Sequence, residues 1–197
     1  MRDRFKTHEI MTATGGMIDL DDIDPDRVKI EDIVSSLCVT VRFGGHLPCF
    51  YSLGSHTVAM YIFASRCREP DGVLRHILLH DMHEFITGDI PSPVKRYLQP
   101  AIGKLERRID EAIFTRFVHL PTPSEKARVK YYDDLMWQAE LHFLAGVDWD
   151  TPDNVDYISL QASIGEVAGR NFHNVGEILT GMLHHEFNTK RKKERMQ

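Results

Sequence analysis

The sequence predicts an all-α bundle of about six to eight helices. Three observations carry this reading. Apolar residues recur at three- and four-residue spacing through successive segments, caps and breakers punctuate those segments, and strand-like alternation persists nowhere. No internal repeat is visible. At 197 residues the chain has the size of one domain with room for a substantial core.

The elements follow in order. Residues 1–28 are polar and irregular, and include the acidic stretch from Asp19 to Asp26. That stretch lacks the Gly and Glu positions of an EF-hand loop, which argues against calcium. Ile30, Ile33, Val34, Leu37, Cys38 and Val41 mark a first helix from about Ile30 to Val41. Gly44, Gly45 and Pro48 break it. An apolar segment runs from Ser52 to about Cys67. Asp71 is placed to cap the next helix, which extends through His80-Asp81 and ends at Gly88. Ser92 is placed to cap a short helix starting at Pro93. An amphipathic helix spans 102–117, and Thr122-Pro123-Ser124-Glu125 forms a capping box for a helix reaching about Leu144. One C-terminal helix is expected over about 159–188, followed by a basic tail at 189–197 that reads as a solvated end.

Composition narrows the function classes. Charged residues make up 27% and hydrophobic ones 42% of the chain, as in a soluble globular protein. A formal charge of -5 argues against general nucleic-acid binding but leaves room for a local basic pocket. Cys38, Cys49 and Cys67 have no CxxC spacing, so neither a disulfide framework nor a thiolate zinc site is expected. Cys38 and Cys67 read as small core residues. The N-terminus has no secretory h-region, and no run approaches the roughly 18 apolar residues of a membrane span. No membrane partner and a cytoplasmic location are expected.

The chemistry concentrates at His80-Asp81. Ile77, Leu78 and Leu79 precede the pair, and Met82, Phe85 and Ile86 follow it. Two polar side chains in such a setting are costly unless a proton or a metal compensates them. Metal ligation is the better reading. His76, His83 and Glu84 lie on nearby helical positions, with the two histidines read as polar neighbours. His56, on the apolar segment before, is the candidate ligand from a separate helix. From the residues alone, Asp133 and Asp134 are equally placed to supply another carboxylate. Two histidines and two carboxylates suit a hard or borderline divalent cation that activates water.

The pattern His56, His80-Asp81, Asp133 resembles the H…HD…D signature of HD-domain phosphohydrolases. The run from His80 to Lys95, with Glu84, Gly88-Asp89, a proline-containing turn and Lys95, resembles a short branch of that superfamily. The branch contains bacterial 5'-deoxynucleotidases and phage-type dATP triphosphohydrolases. Val129-Lys130 before Asp133 matches it too and favours Asp133 over Asp134. The resemblance covers roughly residues 28–145 and implies a single HD-domain helical bundle with that span as its core.

The resemblance implies the following roles. His56, His80, Asp81 and Asp133 hold a divalent metal (Co²⁺, Mn²⁺, Zn²⁺ or Mg²⁺, with Fe²⁺ also suited). Glu84 is the catalytic acid, and Asp89 matches a recurrent acid that equally suits a turn. Lys95 and Lys130 contact phosphates. Arg42 lies near phosphate or sugar, Phe43, Gly44 and Gly45 form part of the nucleoside pocket, and His46 reaches a phosphate or sugar or equally belongs to a structural turn. Phe43 stands where the phage-type enzymes carry tryptophan. The implied function is a metal-dependent deoxynucleotide phosphohydrolase using metal-activated water. A dNTP triphosphohydrolase acting on a dATP-like purine substrate is favoured. A 5'-deoxynucleotidase acting on dNMPs, or a non-catalytic nucleotide sensor, are the alternatives. A homo-oligomer, dimer or higher, is expected by the same resemblance.

Overall fold

The computed structural model describes residues 8–194, with side chains to residue 187. Its helices are α1 (Ile30–Val39), α2 (Leu53–Arg66), α3 (Asp71–Leu79), the single turn α4 (Glu84–Thr87), α5 (Ser92–Tyr97), α6 (Ala101–Phe117), α7 (Pro123–Ala145), α8 (Tyr157–Gly165) and α9 (Phe172–Glu194). The all-α reading holds. Among the described residues no helix is long and apolar enough to cross a membrane. The basic tail at 189–197 lies outside the residues whose side chains are described.

The bundle is organised around α2. Every residue from Leu53 to Met60 is buried, so the helix has no solvated face along that stretch. Ser52 caps it by accepting from the Ser55 N–H at 3.1 Å. Helices α1, α3, α7, α8 and α9 all pack on it. Gly54 is what lets α1 and α9 come close. A Cβ at that position would stand 2.8 Å from Cys38 Sγ and 3.3 Å from Val175 Cγ1. Helix α9 contributes Val175, Leu179 and Leu183, one fully buried stripe at four-residue spacing.

Several boundaries differ from expectation, each for a local reason. A two-stranded antiparallel hairpin, β1 (Glu9–Met11) and β2 (Met17–Asp19), pairs Ile10 with Ile18. Strands of three residues are too short to show alternation. The hairpin's turn docks on α1: the Thr14 N–H donates to Asp32 Oδ1 at 2.6 Å and its hydroxyl to Oδ2 at 3.2 Å. Within the acidic stretch, Asp24 caps a 3₁₀ turn at Pro25–Arg27. Pro70 and Pro91, rather than Asp71 and Ser92, are the caps of α3 and α5. The capping box at Thr122 and Glu125 forms as expected. The single C-terminal helix expected over 159–188 is two helices. Gly169 takes a left-handed φ of +74° between them, and Asn171 then accepts from the Asn174 N–H to restart the chain as α9. Cys38 is buried as expected, but Cys67 is exposed because it caps the end of α2.

Alanine is the better helix former at position 54 by about 1 kcal/mol. Gly54→Ala is nevertheless expected to destabilise the protein, because overpacking a tight contact costs about 1–3 kcal/mol. Urea unfolding of the two proteins checks this, and a raised midpoint in the variant would show that α1 and α9 yield at little cost.

Candidate metal centre

Three elements bring four donors together. His56 comes from the first turns of α2, His80 and Asp81 from the corner after α3, and Asp133 from the middle of α7. Their ligand atoms all lie within 4.8 Å of one another. His56 Nε2 is 3.3 Å from His80 Nε2 and 3.5 Å from Asp133 Oδ1. His80 Nε2 is 3.2 Å from Asp81 Oδ2. Two imidazole nitrogens and two carboxylate oxygens facing one point fit a divalent cation in kind and number. Asp133 turns inward while Asp134 stays at the surface beside Lys130. The ambiguity between those neighbours is thereby resolved by the facing of α7.

The continuous helix expected from Asp71 to Gly88 is broken at the His80-Asp81 pair. In an α-helix the Asp81 N–H would donate to the Ile77 carbonyl. Here that carbonyl takes His80 Nδ1 at 2.7 Å. The chain then tightens into i→i+3 bonds, from Met82 to Leu79, Glu84 to Asp81 and Phe85 to Met82. With Nδ1 donating to a carbonyl, the ring keeps one proton there and turns Nε2 to the centre, where a bound cation would take the place of the second proton.

His56 is oriented from behind as well. Its Nδ1 lies 2.6 Å from Glu140 Oε1, and both side chains are 0% exposed. The other Glu140 oxygen accepts from Arg42 Nε at 3.1 Å, and Arg42 Nη1 reaches Asp81 Oδ2 at 3.7 Å. A buried chain therefore runs from His56 through Glu140 and Arg42 to Asp81. It holds two of the four donors from the far side. Glu140 was not singled out from the sequence. Its signal was its position seven residues after Asp133, two turns along the same face of α7.

The ionisation states follow from this packing. Burial alone would depress His80, but the Asp81 carboxylate outweighs it and pushes the imidazole up to about 9. Burial would raise Asp81, yet His80, His56 and Arg42 hold it well below the carboxylate range. Asp133 is drawn down to about 2, against its own burial, by the hydrogen bond to His56 and the charge on His80. Glu140 is likewise lowered, its burial overcome by Arg42 and His56. The cluster balances its charges tightly before any cation is counted.

The remaining residues singled out from the sequence fall in four settings. Glu84 is buried and accepts from Lys95 Nζ at 2.8 Å, while Lys95 also meets Glu106 at 3.0 Å. Burial first, then repulsion from Asp81, raises Glu84 to about 7, with Lys95 opposing. Arg42 is 8% exposed, far less open than a phosphate-binding arginine on a pocket wall. Phe43 follows it with φ +57°, its ring 5.3 Å from the guanidinium carbon, and His46 and the half-buried Asp89 flank this corner. Lys130, by contrast, lies on the wall of a cavity of about 480 Å³. His80, Asp81 and Asp133 lie on that wall too, as do Arg107 and Lys126, which had not been singled out. His83 is not among the four donors; its Nδ1 lies 3.1 Å from Asp110.

Comparison with known proteins agrees with this geometry. The HD-domain family matches residues 55–138, which include all four donors but neither Arg42 nor Glu140. The chain is 36% identical over 133 residues to the uncharacterized protein YfdR of Escherichia coli, across 66% of this chain and 69% of that protein. It is 28% identical over 149 residues to an uncharacterized protein of Rhodobacter capsulatus, across 72% of this chain and 76% of the relative.

Glu140→Gln keeps the shape but removes the charge that Arg42 and His56 share. Losing a supporting partner of this kind costs about 10–100-fold in metal affinity, and breaking a buried ion pair costs about 3–5 kcal/mol of stability. Both losses are expected, by Co²⁺ titration and by urea unfolding. Unchanged Co²⁺ affinity would remove Glu140 from any role behind His56.

Proposed function

This chain belongs to the HD-domain superfamily, and from that premise we propose that it is a metal-dependent phosphohydrolase that cleaves deoxynucleotides at the bond between the 5'-oxygen and the α-phosphorus. The observation that carries the proposal is the convergence of His56, His80, Asp81 and Asp133, three of them on the wall of a cavity of about 480 Å³. That volume lies within the roughly 300–1,000 Å³ of small-molecule sites. A divalent cation held by these four residues would supply Lewis acidity, polarising the phosphate and making water acidic near neutral pH.

The protein's own groups supply the rest. Glu84, raised to about 7 by its burial and by Asp81, is a carboxylic acid for much of the time at neutral pH. It is suited to hand a proton to the departing 5'-oxygen as the phosphorus–oxygen bond breaks. Lys95 holds Glu84 in place through its 2.8 Å contact and keeps its acidity in the useful range. Arg42 acts through Asp81 and Glu140 and orients the donors. Phe43, His46 and Asp89 border the corner on which the nucleoside is expected.

Lys130, Lys126 and Arg107 lie on the cavity wall beside Asp110 and Glu111, and these three basic groups are the ones a phosphate chain extending beyond the α-phosphorus would engage. This wall favours a dNTP, releasing triphosphate, over a dNMP, releasing orthophosphate. Both reactions break the same bond. The family resemblance supports a purine of the dATP type.

The test is product release from deoxy- and ribonucleoside mono- and triphosphates, with Co²⁺, Mn²⁺, Zn²⁺ or Mg²⁺ added singly to stripped protein. Triphosphate from dATP is the expected product. Orthophosphate from dNMPs alone would transfer the reading to a 5'-nucleotidase, and no release at all would overturn it. Asp81→Ala is expected to abolish hydrolysis and to lower cation binding. Glu84→Ala is expected to keep cation binding and lose about 10²–10⁴-fold in kcat.

Because the protonated form of Glu84 is the active one, kcat is expected to fall as pH rises through about 7. Lys95 lowers the Glu84 pKa, so Lys95→Met is expected to move that limb to higher pH. A limb that stays in place in Lys95→Met would assign it to another group.

A further inference from the structure

A second group of possible ligands lies outside the HD centre. His76 on α3, His119 in the loop after α6, and Glu125 at the start of α7 have ligand atoms all within 4.8 Å of one another. Sequence spacing alone would not bring them together, since they come from three separate elements. We propose that His76, His119 and Glu125 form a second cation site, specific for a borderline divalent ion such as Zn²⁺ or Co²⁺, beside the nucleotide cavity.

The second and independent observation is His76 itself. It is 2% exposed, and neither Nδ1 nor Nε2 has a hydrogen-bond partner. A buried imidazole normally engages both nitrogens, so this one has a donor or acceptor left for something further. Its Nε2 lies 3.8 Å from Glu125 Oε2, and its ring meets the His119 ring edge-on with centroids 5.0 Å apart. The edge of Phe114 closes another side at 5.7 Å. Burial holds His76 below its ordinary pKa, which keeps it neutral, the form that ligates metals.

Glu125 is held for the task. Its Oε2 accepts from the Thr122 N–H and hydroxyl, each at 2.8 Å, and lies 3.4 Å from His119 Nε2. Its Oε1 lies over Gly72, only 2.6 Å from where a Cβ would stand, so the missing side chain leaves that oxygen its place. Two imidazoles and one carboxylate form the three-ligand set of an open zinc-type site, with the fourth position for water. His119 is half exposed, which gives the ion a path in. Bound there, the cation would tie the 118–122 loop to α3 and α7. His76, Leu120 and Pro121 all lie on the cavity wall, so that tie would shape the cavity.

The experiment is equilibrium dialysis of tag-free protein against Co²⁺, with the visible absorption of the bound ion recorded. Wild type is expected to bind one equivalent more than His119→Ala. Glu125→Gln, which keeps the helix cap, is expected to lose the same equivalent. Asp81→Ala is expected to lose a different one and to retain the equivalent that His119→Ala lacks. The proposal is overturned if His119→Ala and Glu125→Gln both bind as much Co²⁺ as wild type, or if every equivalent disappears in Asp81→Ala. An equivalent that survives Asp81→Ala and disappears in His119→Ala supports the second site even if the HD centre binds nothing. Circular dichroism of each variant confirms that it is folded.

Discussion

The buried contact between Arg42, Glu140 and His56 is the interaction on which the arrangement depends. Glu140 and His56 are fully enclosed, and Arg42 nearly so. Each would be expensive alone in an apolar core, and each is compensated only by the others. The contact joins the loop after α1, the start of α2 and the second half of α7, segments separated by as many as 98 residues. A bundle that slid by one turn at any of these places would strand a charge. The same contact that fixes the register of the bundle therefore fixes the direction of His56 and, through Arg42, of Asp81.

A second constraint acts within a single stretch of chain. His80 takes the Ile77 carbonyl from the backbone, and that one hydrogen bond has two consequences. It ends the α-helical ladder, and it fixes a proton on Nδ1 so that Nε2 is the nitrogen turned to the centre. The local tightening then carries Glu84 to a position where Lys95, itself held by Glu106, meets it. Helix termination, tautomer choice and placement of the acid are thus one event. The tight packing of α1, α2 and α9 at Gly54 supplies the rigid support behind it.

Two settings adjoin the donors. Arg42 meets both Asp81 and the Phe43 ring. A cavity carries Lys130, Lys126 and Arg107 together with Asp110 and Glu111, and His76 lies on its wall. Charge is closely balanced at the centre itself, where carboxylates are held ionised by histidines and arginine. Such a centre suits chemistry in which an anionic substrate must be accepted without lasting reorganisation of the protein.

Much of this was legible in the chain. Helical spacing, the Thr122 capping box, the breakers around Gly44 and the cost of burying His80-Asp81 determined the helical class, most of the elements and the pair at the centre. These are local properties, decided by residues within a turn or two of each other. The tertiary structure decided what local pattern leaves open. It chose Asp133 over Asp134 by the facing of α7. It turned Arg42 and Lys95 into partners of buried carboxylates, it enlisted Glu140, and it gathered His76, His119 and Glu125. Those outcomes depend on which faces of distant helices meet, and a buried charge finds its partner across the fold, not along the chain.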